Sequence, residues 1–221
     1  MSRRRVTPLT SRICGQLPGR CGDCVFWELG SACPLPGSDR VLGDRGVRVT
    51  DGAGHKREWV SAHLAAGEDT GSAVVVDDEV VAYALFAPVP AFARRGSTVP
   101  RPSPTALQLA TIFVRPAYRQ QGVGRVLVHA AVRAAVRSRH PAVEAYGDRR
   151  FRERSCVLPA TWLLHEGFEV VGEHPQTPLL RLDVRRTVRW SASLEDALAG
   201  VLGRVPRTVP EPVGASRARL P

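Results

Sequence analysis

The chain has 221 residues, with 31 Lys and Arg against 21 Asp and Glu, a net charge of +10 and five cysteines. That length builds one substantial core with an accessory segment or two, and Pro88 and Pro90 cut the longest apolar run, Val80 to Ala93, so no membrane partner is expected. The charge raises nucleic acid as a partner, but 30 of the 31 basic residues are Arg, only Lys56 is lysine, and the arginines are spread along the chain, so nucleic acid is not the expected partner.

The basic N-terminus lacks the apolar segment of a secretory signal, which makes the cytoplasm the expected compartment. Cys14, Cys21, Cys24 and Cys33 follow closely. A structural zinc ion wants two close pairs and only Cys21/Cys24 is one, while a redox C-x-x-C wants a strand-to-helix setting that is missing here. The expected reading is therefore apolar thiols packed near Phe26 and Trp27, with no metal assigned. Residues 1–51 are read as a Cys-containing extension packed on the core.

Lys56 to Ala66 has helical character, with Trp59, Val60, His63 and Leu64 on one side. Ser72 to Val76 and Glu79 to Phe86 read as a hairpin around Asp77-Asp78. Pro88 to Pro104 holds five prolines and reads as a long loop, either a lid that shapes a site or an inert insertion.

Leu107 to Val114 is an apolar, β-branched strand that Arg115-Pro116 ends. Arg119-Gln120-Gln121-Gly122-Val123-Gly124 then opens directly into a helix. Its glycines admit close backbone approach, and the N–H groups of a helix start suit a diphosphate. A Walker A loop would need Lys-Ser/Thr where Arg125-Val126 stands, and a dinucleotide fingerprint would need a small residue where Leu127 stands. Val123, Leu127, Ala130, Ala131 and Ala134 form the helix's apolar stripe. Arg125, His129, Arg133 and Arg137 form a solvated one, so His129 is given no catalytic role. Ala142 to Tyr146 is the next strand, parallel to the first.

Leu158 to Glu166 reads as a short helix closed by Gly167. Phe168 to Val171 and Leu179 to Val184 are closing strands, the second alternating apolar residues with Arg181, Asp183 and Arg185. Ser191 to Leu202 reads as a helix, within 187–203, that packs on the core or joins two copies as a homodimer. Residues 204–221 read as a disordered tail.

The R-x-x-G-x-G turn after an apolar strand with a Val-Arg-Pro exit, together with the Leu-His-Glu-Gly-Phe segment, resembles the GNAT superfamily of acetyl-CoA-dependent N-acyltransferases, of bacterial type. The resemblance covers residues 52–186. It implies an α/β fold: a mixed central sheet splayed at the CoA-binding strand, with helices on both faces. It implies acetyl-CoA as cosubstrate and direct attack of an amine on the thioester, with a backbone N–H stabilising the oxyanion. Ile112, Phe113 and Val114 would pair with the pantetheine arm. The diphosphate would sit on Arg119, Gln120, Gln121, Gly122, Val123, Gly124 and Arg125. The acceptor amine is not identified.

Two acid–base positions of the family depart here. Gln108 stands where some relatives have Glu, and Leu163 where many have Tyr. The catalytic candidates that remain are Cys156, Tyr146 and Glu28, with Tyr118, His165 and Glu144 behind them. An alternative reading is a catalytically weak CoA-binding sensor or regulatory module, with or without a nucleic-acid partner.

Overall fold

A computed structural model describes residues 4–30, 49–93, 99–151 and 156–185. Cys33, the C-terminal helix and the tail lie outside the described residues. Eight strands form one sheet: β1 (Arg4–Pro8), β2 (Gly71–Val76), β3 (Glu79–Pro88), β4 (Leu107–Val114), β5 (Ala142–Asp148), β6 (Leu158–Pro159), β7 (Glu169–Gly172) and β8 (Leu179–Asp183). The order is β1-β2-β3-β4-β5-β8-β7, with β6 paired to the end of β5. β4/β5 and β5/β6 are parallel and the rest antiparallel. The expected hairpin is present, and Asp77 and Asp78 turn it with φ of 47° and 66°, a conformation Asp tolerates better than most side chains.

The boundary expected at residue 51 is not a structural one. Arg4–Pro8 pairs residue by residue with β2, Val6 opposite Val74, so the N-terminus supplies a strand of the sheet itself. Its short alternation beside Arg-rich sequence carries little strand signal, and pairing with a buried hairpin decides its state. The helix α3 (Gly52–Ala65) also starts earlier than its apolar pattern suggested. Asp51 caps it, its side chain accepting the Gly54 N–H at 2.8 Å.

Alternation along the strands divides the core into two faces. On one, α4 (Val123–Arg137) lays Val123, Val126, Leu127, Ala130, Ala131 and Ala134 on Leu107, Leu109, Ile112 and Val114, joined by α5 (Ala160–His165) through Leu163. On the other, α1 (Ser11–Cys14), a 3₁₀ turn at Arg20–Gly22, α2 (Phe26–Leu29) and α3 cover Leu85, Ala110, Tyr146, Tyr83 and Phe113. The helix expected from Leu158 begins only at Ala160, because Leu158 and Pro159 pair with Gly147 and Asp148. A Cβ at Gly147 would lie 2.9 Å from Ala160 Cα, so its glycine lets α5 close on the end of β5. Gly167, with φ of +90°, ends α5 as expected.

Two irregularities in β4 position the site. β4 pairs with β5 only at Leu107/Val143 and Gln108/Glu144, after which β5 continues along β8 and β6. Opposite β3, the register slips between Leu85/Thr111 and Phe86/Leu109, leaving Ala110 as a bulge.

Candidate active site

The splay turns the outer half of β4 into the wall of a cleft. Residues 107–110 are buried, whereas Thr111, Ile112, Phe113 and Val114 are half-buried and line a cavity of about 630 Å³. Among the described residues, no strand pairs with their β5-facing edge. At one end stand Tyr118, Arg119, Gln120 and Gly124 of the turn. Val157, Leu158, Pro159 and Trp162 form the far wall.

The turn is shaped by two left-handed residues, Gln120 (φ 59°) and Gly122 (φ 76°). The first intrahelical bond of α4 runs from Val126 N–H to Gly122 C=O at 3.1 Å, so Val123, Gly124 and Arg125 present N–H groups without intrahelical acceptors. A Cβ on Gly124 would approach the Trp162 ring to 3.1 Å, so a larger residue would press on the far wall. Free helix-start donors beside an unpaired strand edge suit a diphosphate followed by an amide-bearing chain. The side chains are already engaged: Arg119 Nε donates to Val114 C=O at 3.2 Å, Gln121 Nε2 to Ala117 C=O at 2.8 Å, and Arg125 Nε to Glu166 at 2.8 Å.

The opposite wall comes from the N-terminal segment. Gly19 has φ of +76°, and a Cβ there would stand 2.5 Å from the Phe113 ring. Glycine thus lets the chain lie on that ring, which itself stacks on Tyr83 at 5.9 Å. This seats Arg20 and Cys21 in the cleft lining. Below it, the buried carboxylate of Glu28 is ion-paired with buried Lys56. Trp27 stacks on Tyr146 at 5.8 Å and donates its indole N–H to Cys156 C=O at 3.1 Å.

The three catalytic candidates fall in different surroundings. Cys156 lies in the cleft wall but is disulfide-bonded, and a disulfide sulfur has no proton to give. Tyr146 is buried outside the lining, its hydroxyl donating to Pro100 C=O at 2.8 Å, and burial raises its pKa. Glu28 is also outside the lining, engaged with Lys56. Among the others, Glu144 accepts from Ser103 N–H at 2.7 Å and Arg181 at 2.8 Å, His165 is exposed, and only Tyr118 reaches the cleft.

Cys14, Cys21 and Cys24 are free. No group of three or more His, Cys, Asp or Glu that could hold a metal occurs among the described residues. Among the same residues no helix is long and apolar enough to cross a membrane. The Gly19–Phe113 contact, the Ala110 bulge and the Trp162 wall escaped sequence reasoning. Pro18-Gly19 was the one signal available, as a turn dipeptide.

The family model for GNAT acetyltransferases matches residues 46–151. Solved structures share the fold. One is yncA, an acetyltransferase from Salmonella typhimurium with its cofactor acetyl-CoA: 14% identity, 82% of this chain and 94% of that one, TM-score 0.50. Another is an N-acetyltransferase from Staphylococcus aureus Mu50: 14% identity, 82% and 99% covered, TM-score 0.52. A third is the paia N-acetyltransferase from Thermoplasma acidophilum in complex with coenzyme A: 9% identity, 82% and 99% covered, TM-score 0.50. No curated protein sequence matches. The splayed parallel pair, the bulged strand and the helix-start turn thus lie within residues 46–151, the segment that matches the GNAT acetyltransferase family.

Proposed function

We propose that the protein transfers an acetyl group from acetyl-CoA to the nitrogen of an amine by direct attack. The observation that carries this reading is the half of β4 that leaves its parallel neighbour after Gln108 and runs into the open N-terminus of α4. The backbone of Ile112, Phe113 and Val114 would hold the pantetheine arm. The N–H groups from Gln120 to Arg125 would hold the diphosphate, with Arg119 adding charge at the turn. When bound, acetyl-CoA supplies an activated thioester.

This chain's own contribution is mainly positioning. The Ala110 bulge interrupts the ladder and is the place for a backbone donor toward the developing oxyanion. The amine nitrogen forms the C–N bond as the C–S bond breaks. The nitrogen sheds one proton to solvent in the cleft and the departing thiolate takes one up. No Asp, Glu or His lines the cleft among the described residues, so water rather than a side-chain base serves. General acid–base help is worth about 10²–10⁴ in rate, and its lack leaves a slow but real enzyme.

The test is release of free thiol from acetyl-CoA with an amine panel. Turnover is expected, with kcat/KM climbing with pH toward the amine's own pKa; a bell-shaped profile would reveal a missed base. Gly124→Trp should abolish CoA binding while the fold survives, and unchanged affinity would sink the assignment. No observation favours a non-catalytic module.

A further inference from the structure

We propose that the acceptor is an amine carrying an anionic group, a carboxylate in the simplest case, and that Arg20 is the residue that recognises it. The inference rests on the acetyltransferase reading and names its substrate class. Arg20 is exposed, lines the cleft and has no ion partner among the described residues. Its neighbour Gly19 lies on Phe113, which belongs to the face opposite α4. Arg20 therefore reaches the cleft from the face of the sheet opposite α4. The position is held from beneath as well: a Cβ on Gly22 would meet Leu17 C=O at 2.8 Å, so the 3₁₀ turn is seated directly on the preceding chain.

Among the described residues, no carboxylate meets a purely cationic acceptor in the cleft lining. On the Arg20 face of β4 and β5, alternation places Gln108, Glu144 and Asp148, since Leu107, Leu109, Val143 and Ala145 belong to the α4 side. Asp148 is buried, accepts the Arg150 N–H and does not line the cleft. Gln108 is an amide, 2% exposed, whose Nε2 has no acceptor. Glu144 is held by Arg181 and Ser103. Glu28 is held by Lys56. Among the described residues the lining on this side thus offers the Arg20 guanidinium and no carboxylate. A polyamine or a lysine-rich peptide would enter against that charge, whereas a carboxylate or phosphate beside the amine would be drawn in and oriented.

The test uses the full chain with acetyl-CoA and matched pairs of amines, each with a free carboxylate and as its amide, plus a polyamine. The acidic member of each pair should be preferred by about 10- to 100-fold in kcat/KM, the range of one charge-assisted contact. Arg20→Gln should erase that preference through the acceptor's KM, leaving kcat and the KM for acetyl-CoA within about two-fold. Preference for the polyamine, or equal loss on the amide substrates, would overturn the proposal. So would a collapse of acetyl-CoA affinity in Arg20→Gln, which would assign the guanidinium to the cofactor's phosphates. Should CoA bind while no amine turns over, the enzymatic reading fails separately. Recognition is then read from titration of the same carboxylates into the CoA-loaded protein, where Arg20→Gln must weaken binding and unchanged binding refutes the proposal.

Discussion

The two walls of the cleft are built by different means. The α4 side is apolar and repetitive: small and branched residues of one amphipathic helix lie on alternate residues of β4, and of that helix only Gly124 lines the cleft. The N-terminal wall is assembled from short pieces. α1 and α2 have four residues each, glycines seat the turns, and a buried ion pair joins α2 to α3. A backbone cradle tolerates most side-chain changes and fixes a ligand common to many enzymes. A wall of individual side chains is fragile and free to define one acceptor. The proposed cofactor cradle and the proposed acceptor wall thus differ in what each is made of, main chain in one and individual side chains in the other.

The sharpest way to break the comparison is to attack the ion pair. Lys56→Met leaves the Glu28 carboxylate buried without its cation, and a loss of about 3–5 kcal/mol is expected. Glu28→Leu combined with Lys56→Met should recover most of it, because desolvation of both charges disappears together. Denaturant unfolding of the two variants measures this; additive losses would show that the pair is not the joint. Gly19→Val comes next. It forces a β-branched residue to φ +76° and against the Phe113 ring, for an expected loss of about 2–4 kcal/mol. The acceptor KM should rise more than that for acetyl-CoA, and equal changes would mean that the walls are not separate.

The same division explains what could be read from the chain alone. β4, its turn and α4 were legible because their function is written in local backbone chemistry: a branched strand, Arg115-Pro116, glycines, then a helix stripe. The hairpin and the Gly167 cap were legible for the same reason. The N-terminal wall was not. Glu28 and Lys56 are 28 positions apart and signal nothing until the fold joins them. Tyr146 has no local sign of a partner, and its hydroxyl donates to Pro100 C=O, 46 positions away. Cys156 looked like a lone thiol. β1 was missed because its only strong interaction is with a hairpin some seventy residues on.

A smaller effect follows from the thiols of the N-terminal wall. Burial pushes Cys14 up from 9.0 to about 11 and Cys24 from 9.0 to about 12. The folded state thus favours the protonated thiol. Its contribution is complete below about pH 9 and is lost as the pH rises through 11 and 12, by up to about 1.4 kcal/mol per pH unit for each group. Tyr83, raised by burial from 10.0, adds to the loss above that value. Stability should therefore fall between pH 9 and 10.5, with a shallower slope in Cys24→Ala. Parallel slopes would mean that Cys24 titrates normally in the folded protein. The α4 wall, with no cysteine, gives no such signature.

The smallest effect concerns the seam where α4 meets α5. Arg125 spans it, donating to both carboxylate oxygens of Glu166 at 2.8 and 3.4 Å. The Arg125 side chain is 49% exposed and that of Glu166 only 6%, so solvent screens the pair in part and Arg125→Ala should cost about 1 kcal/mol. Its value lies in separating a brace from a ligand. If the guanidinium left Glu166 to hold the diphosphate, its removal would weaken CoA binding about ten-fold or more. If it only fixes the first turn of α4 against the Trp162 wall, Arg125→Ala should change CoA affinity by no more than about two- to three-fold. Glu166→Gln, which keeps the shape and drops the charge, should then behave alike. The second pattern is expected, because the contribution proposed for this position is the Arg125 N–H, which survives any substitution but proline. A large loss in Arg125→Ala with none in Glu166→Gln would return the side chain to the phosphates and make the cofactor wall, too, depend on a particular residue.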